Sequence, residues 1–265
     1  MRGALPAGIT LRRAAAALAI LAFGISPAGA AEVRVFTSAA SVEAQKIYSG
    51  KFAKATGNHV TLTVGTVRDI QDRLGGPDKP DVVVLPAPLM DRFEEAGTFR
   101  PGTRTDLARV GVGIAVRTGS RAPDISTADT VRKTLLAARS IVHPDPAGGG
   151  VAGAQIARMF ERLGIADALR PKVKLSYAFA GGVEQVANGE AEIGLFNISE
   201  ILPVKGVRLV GPLPSELQSY IVFSGAVHVG STAPEPAAAY VQALASAGAR
   251  ETWRKAGLET LEISH

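Results

Sequence analysis

Four times along this chain a short apolar run stops at a Gly- or Ser-rich turn and passes into a helix-like segment. The junctions are Ser38–Ser41, Gly65–Arg68, Asp145–Ala152 and Gly181–Val183. Residues 33–36, 60–64, 82–85, 140–143, 173–177, 193–196 and 207–210 read as strands. Some alternate with polar residues, and 82–85 is continuously apolar, as in a strand covered on both faces. Between them lie helical stretches. One has Val42, Ala44, Ile47, Tyr48 and Phe52 on one side and stops at Gly57; others cover 67–74 and 89–95. A fourth carries Ala152, Ile156, Met159, Phe160 and Leu163 as an apolar stripe, and a fifth spans 183–188. The tail, 236–247 and 250–256, reads as two more. Strands separated by helices of this length predict an α/β protein with mostly parallel sheets.

Two β-like runs, 110–116 and 220–229, are longer than the rest. If they are crossovers, the chain divides into one lobe made of residues 31–112 and 219–265 and a second made of 113–218. A two-lobed protein with paired crossovers closes on a ligand by hinge bending. The pattern alone leaves a single continuous sheet open as the alternative.

The first 30 residues stand apart. Arg2, Arg12 and Arg13 precede an uncharged apolar run over residues 14–25, a Ser26-Pro27 break, and the small residues Ala28-Gly29-Ala30. That is the order of a cleavable secretory signal peptide, and the apolar run is too short to span a bilayer comfortably. Arg12-Arg13 leaves a twin-arginine route open. The expected mature protein is exported to the periplasm. Three of the 29 basic residues lie in this leader, so 26 remain against 24 acids. So even a balance gives no reason to expect nucleic acid as a partner.

Composition removes several chemistries. With no Cys there is no disulfide framework, thiolate-bound metal or thiol nucleophile. His59, His143, His228 and His265 have no metal-ligand spacing, so neither a metal nor another cofactor is expected. The sequence lacks Gly-x-Ser-x-Gly, Ser-x-x-Lys and His-Glu-x-x-His motifs. Ser41, His143 and Asp145 can be drawn as a hydrolase triad, but Pro144 and Pro146 restrict that turn. The expectation is a protein that is not an enzyme.

The four junctions are where a ligand is expected. In open parallel sheets ligands bind beyond the carboxyl ends of strands, facing helix N-termini whose N–H groups lack intrahelical partners. Ser38, Ser41 and Thr66 add hydroxyls, and Arg68 adds a possible charge partner. Each junction also has a structural reading: Ser41 as an N-cap, and Thr66 with Asp69 as a capping box.

The chain resembles bacterial periplasmic solute-binding proteins, specifically the molybdate-binding (type II) component of ABC importers. The likeness rests on Val-Phe-Thr-Ser-Ala-Ala-Ser (35–41), Lys-Pro-Asp-Val-Val-Val-Leu-Pro (79–86) and His-Pro-Asp-Pro-Ala-Gly-Gly-Gly-Val-Ala-Gly (143–153). Asn-Gly-Glu-Ala-Glu-Ile-Gly (188–194), Leu-Pro-Ser-Glu-Leu-Gln (213–218) and Trp-Arg-Lys-Ala-Gly-Leu (253–258) extend it. The resemblance implies two α/β lobes joined by crossover strands, a small anionic ligand in the cleft, a monomer, and an ABC permease in the inner membrane as partner. By the same resemblance the first-loop hydroxyl falls on Ser41 or Ser38 and the second-loop one on Thr66. The backbone donors fall at Val151, Ala152 and Val183. Two positions depart from the family: paired serines of the second loop become Gly65-Thr66-Val67-Arg68, and a tyrosine after the late strand becomes Asn197. A site that must pair every ligand oxygen is sensitive to such changes. The resemblance implies a molybdate- or tungstate-like oxyanion as the ligand, and the two departures make an organic acid or another small anion the alternative.

Overall fold

The computed structural model describes residues 30–148, 150–177 and 181–261; the expected leader lies outside them, apart from Ala30. The chain order is β1 (Glu32–Ser38), α1 (Ala39–Thr56), β2 (His59–Gly65), α2 (Val67–Gly75), β3 (Val82–Pro86), α3 (Ala87–Glu95) and the long β4 (Thr105–Arg117). Next come α4 (Ala128–Ala137), β5 (Ile141–Pro144), α5 (Val151–Arg162), α6 (Ala166–Leu169), β6 (Val173–Ser176), α7 (Glu184–Ala187), β7 (Ile193–Asn197), α8 (Ile198–Ile201) and β8 (Val207–Pro212). The chain then returns through β9 (Tyr220–Val227), α9 (Pro234–Ala245), α10 (Arg250–Lys255) and β10 (Glu259–Thr260).

The strands form one hydrogen-bonded path, β2-β1-β3-β9-β4-β7-β5-β6, with β8 and β10 also on β4. The path belongs to two lobes because β4 changes partners midway. Its residues Thr105 to Gly111 pair with β9, whereas Val112 to Val116 pair with β7 and Gly113 to Arg117 with β8. In the first lobe β1 runs parallel to β2 and β3; in the second β5 runs parallel to β6 and β7. The strands nearest the crossing, β4 and β9, are antiparallel to their neighbours, so each lobe is parallel at its outer edge and mixed at the hinge. The run 220–229 is not itself a crossover. It becomes β9, wholly within the first lobe, and the second crossing is made by the segment that follows β8.

Strand parity explains why each lobe has helices on both sides. Val82 and Val84 face one core with Val33, Val35, Phe223 and Trp253, while Val83 and Leu85 face another with Phe36, Ile70 and Met90. In the second lobe Ile114 and Leu195 enter a core with Ile156 and Phe160, and Ala115 and Phe196 enter the opposite one with Val186 and Ile201. Successive side chains of a strand point to opposite faces, so a fully apolar run demands cover on both. The architecture is the α/β, two-lobed, type II periplasmic binding fold, with helices flanking each sheet and crossover strands between the lobes.

Three details differ from the sequence expectation. Ile47 is exposed, so the buried stripe of α1 is Val42, Ala44 and Phe52, with Tyr48 partly covered. The helix α4, capped by a Thr127–Thr130 capping box with Val131 and Leu135 buried, and the short α8 are elements that the sequence reading does not place. Finally, α1 begins at Ala39 with Ser38 as its N-cap, so Ser41 lies inside the first turn.

Candidate ligand-binding cleft

Strand ends and helix starts from both lobes meet around one cavity of about 630 Å³. The first lobe contributes Ser38, Ala39 and Ala40 at the start of α1, Gly65, Thr66 and Val67 at the start of α2, and Pro86 at the end of β3. The second contributes Gly150, Val151 and Ala152 at the start of α5, Gly182 and Val183 before α7, and Asn197 and Ser199 around the start of α8. Pockets of ~300–1,000 Å³ typically hold a small organic molecule. The lobes also touch beside the cavity: Ala152 and Val151 pack with the first-lobe core.

Two helices aim unsatisfied amides at this space. Neither α1 nor α5 has a side-chain cap or an acidic residue in its first turn. Their first N–H groups, backed by the positive end of the helix, are left for another acceptor. Close packing at glycines fixes the start of α5 and the loop before α7. A Cβ on Gly153 would sit 2.6 Å from the Pro144 carbonyl oxygen, so only glycine lets α5 start this close to the end of β5. A Cβ on Gly182 would lie 2.6 Å from Ser176 Oγ and 2.8 Å from the Phe196 ring.

The residues expected at the site divide as follows. Ser38, Thr66, Val151, Ala152, Val183 and Asn197 line the cavity. Thr66 also caps α2: its Oγ1 accepts from Asp69 N–H at 3.1 Å, and Asp69 Oδ2 accepts from Thr66 N–H at 2.9 Å. Thr66 thus stands on the cavity wall with its side chain engaged in the capping box. Ser41 is not on the wall. It is fully buried, 2.9 Å from Thr37 Oγ1, and receives a hydrogen bond from Gln45 Nε2 at 3.0 Å. Starting α1 three residues earlier, with Ser38 rather than Ser41 as N-cap, turns the Ser41 hydroxyl inward and presents Ser38 instead. Arg68 is exposed and also off the wall; its guanidinium donates to the Ala147 carbonyl at 3.2 Å, joining the two lobes.

The drawn triad does not assemble among the described residues. His143 is buried edge-on to Phe160, with Nδ1 2.8 Å from the Pro144 carbonyl oxygen, and burial holds its pKa below the ordinary imidazole value. Asp145 accepts instead from the Ala147 amide. No group of three His, Cys, Asp or Glu among the described residues is placed to hold a metal ion.

Several lining residues went unread in the sequence. Lys46 and Val42 follow Ser38 at helical i,i+4 spacing on α1, and Lys46 is bonded to Glu43 at 2.7 Å. Glu200 lines the cavity three residues after Asn197, the spacing of a capping box, and that spacing was the available signal. Burial pushes the Glu200 carboxyl up to about 7, against the pull of the Asn197 side-chain and backbone N–H groups.

Comparison with known proteins agrees with this geometry. A family model described as bacterial extracellular solute-binding protein matches residues 33–259. An aconitate isomerase from Pseudomonas sp is 31% identical over 214 residues, covering 78% of this chain and 80% of that protein. The molybdate-binding protein ModA of Rhodobacter capsulatus is 28% identical over 254 residues, 95% and 97% of the two chains. Among solved structures, the periplasmic molybdate-binding protein of Azotobacter vinelandii superimposes with a TM-score of 0.71 at 18% identity, covering 87% of this chain and all of that one. The sulfate-binding protein SubI of Mycobacterium tuberculosis gives 0.69 at 17% identity and 88% of each. By its family match over nearly the whole described chain, the protein belongs to the bacterial extracellular solute-binding proteins.

Proposed function

We propose that the protein is the periplasmic solute-binding component of an ABC importer. It captures a small anion between a lobe of residues 31–112 and 219–265 and a lobe of 113–218, then presents it to a permease in the inner membrane. It works as a monomer and without turnover. The observation that carries this reading is the pair of uncapped helix starts, α1 from one lobe and α5 from the other, on one shared cavity. Neutral donors of this kind hold an anion without the cost of burying several Lys or Arg side chains. Ser38 and Thr66 add hydroxyls, Val183 adds backbone from the loop before α7, and Asn197 stands on the wall.

A molybdate- or tungstate-like oxyanion is one candidate, supported by the 28% identical molybdate-binding relative over almost the full length. An organic acid is favoured by a separate observation. The 31% identical relative is named for aconitate, and the cavity volume suits a multi-carbon acid.

A thermal-shift panel on the mature protein tests the reading, with molybdate, tungstate, sulfate, phosphate and small di- and tricarboxylates. An anion at ~100 times its dissociation constant adds about 2.7 kcal/mol of stability. A shift with at least one anion is the expected result. No shift with any of them contradicts anion capture, and consumption of a carboxylate in the same mixtures contradicts the absence of turnover.

A further inference from the structure

We propose that Glu200 is a specificity-determining residue of the cavity: its carboxyl binds in the neutral form and donates a hydrogen bond to the anion, so that capture takes up one proton. This rests on the anion-capture reading above and adds a condition to it.

The geometry singles out this carboxyl. Glu200 stands on the cavity wall, in the short helix α8 that follows β7. The other acids on the wall are already engaged: Glu43 with Lys46, Asp145 with the Ala147 amide, and Glu184 with the Gly181 amide. Among the described residues Glu200 has no ion pair.

The charged groups on the elements around α8 do not supply one. On α1, Lys46 is bonded to Glu43, Lys51 donates to Thr252 Oγ1, and Lys54 lies in the last turn. On β4, Asp106 accepts from Ser224, Arg109 pairs with Glu259, and Arg117 is exposed at the strand end. On β8, Arg208 donates to the Ser120 carbonyl; Lys205, beyond α8, lines the same cavity but is exposed and forms no ion pair with Glu200 among the described residues. The groups facing the carboxyl are the Asn197 N–H groups, which hold one side of it.

An ionised Glu200 beside a bound anion places two negative charges in a desolvated space, which is strongly unfavourable. Protonation removes the repulsion and converts the carboxyl from an acceptor into a donor. The empty cavity already has this group poised near neutrality, because burial lifts it to about 7. A bound anion lifts it further. The sign follows: affinity is greatest below the pKa of the empty state and falls as pH rises above it, approaching about tenfold per pH unit for one proton.

The test is calorimetric titration of the full exported chain and of Glu200→Gln with molybdate, sulfate and succinate, which are fully ionised above about pH 7. Titrations run from about pH 7 to 9. The wild type should lose affinity toward tenfold per unit, and Glu200→Gln, a permanent neutral donor, should bind with little pH dependence. As a check that needs no variant, wild-type titrations near about pH 8 in two buffers of different ionisation enthalpy should show uptake of close to one proton. Binding that is pH-independent in the wild type, or a pH dependence retained in Glu200→Gln, overturns the role of Glu200 while leaving anion capture standing. Binding without proton uptake does the same. Failure of every anion to bind at any pH overturns both.

Discussion

Gln218 completes both backbone hydrogen bonds of Val112: its Oε1 accepts from the Val112 N–H and its Nε2 donates to the Val112 carbonyl, each at 2.9 Å. Val112 is where β4 leaves the first lobe for the second, and Gln218 lies on the segment that returns. The side-chain amide thus acts as a missing strand residue and ties the two crossings together. Gly111 makes room for it, since a Cβ there would lie 2.7 Å from Gln218 Nε2. Gln218→Ala leaves the partly buried Val112 N–H unpaired, while the Val112 carbonyl keeps its bond from the Leu213 amide at 3.1 Å. It should cost about 1–3 kcal/mol of stability in denaturant unfolding, and an unchanged midpoint contradicts the tie.

Ser38 and Ser41 should separate cleanly. Ser38→Ala removes a hydroxyl from the cavity wall and should weaken anion binding several-fold with stability unchanged. Ser41→Ala breaks the buried cluster with Thr37 and Gln45. It should cost about 1–3 kcal/mol of stability while affinity changes little. Paired calorimetry and unfolding curves check both, and a reversed pattern returns the ligand contact to Ser41.

Arg68→Ala should speed ligand release. The side chain spans the lobes to the Ala147 carbonyl, and it is exposed, so its removal leaves nothing buried and unpaired. Stopped-flow dissociation should be a few-fold faster, with unfolding within ~0.5 kcal/mol of wild type. An unchanged off-rate contradicts a bridging role.

Asp81 governs acid stability in the first lobe. Burial alone would raise its pKa. Hydrogen bonds from Ser231 Oγ at 2.6 Å and from the amides of Arg34, Thr232 and Ala233 outweigh burial and lower it. A depressed carboxylate stabilises the fold above its unfolded pKa, and this contribution disappears as pH falls through the folded value. Asp81→Asn should therefore destabilise the protein at neutral pH and flatten the decline in stability below about pH 4. An equal acid slope in the variant contradicts the assignment.

The parts of the fold legible in the sequence were those written in periodicity. Val82, Val83, Val84 and Leu85 announced a strand covered on both faces, and the apolar stripe of α5 was read almost residue for residue. Strand-to-helix junctions located the cavity because a strand end followed by Gly or Ser exposes helix amides wherever it occurs. What escaped depends on register and on distant packing. Whether Ser38 or Ser41 faces the cavity turns on the three residues by which α1 starts early. Glu200 and Lys46 follow wall residues at helical spacings, Asn197 at i+3 and Ser38 at i+8, but those spacings mark a wall only once the cavity itself is located. The second crossing was misplaced onto β9 because a long apolar run marks a buried strand equally well at a hinge or within one lobe.

The central claim is that one anion is held by amides of both lobes at once. Hydrogen–deuterium exchange with and without a saturating anion from the panel measures this directly at residues 39–41, 67–69 and 151–153. The account predicts slowed exchange in all three segments together, with the Thr66 capping box limiting the change at 67–69. Protection confined to one lobe, or absent from both 39–41 and 151–153 while the anion is bound, would contradict it.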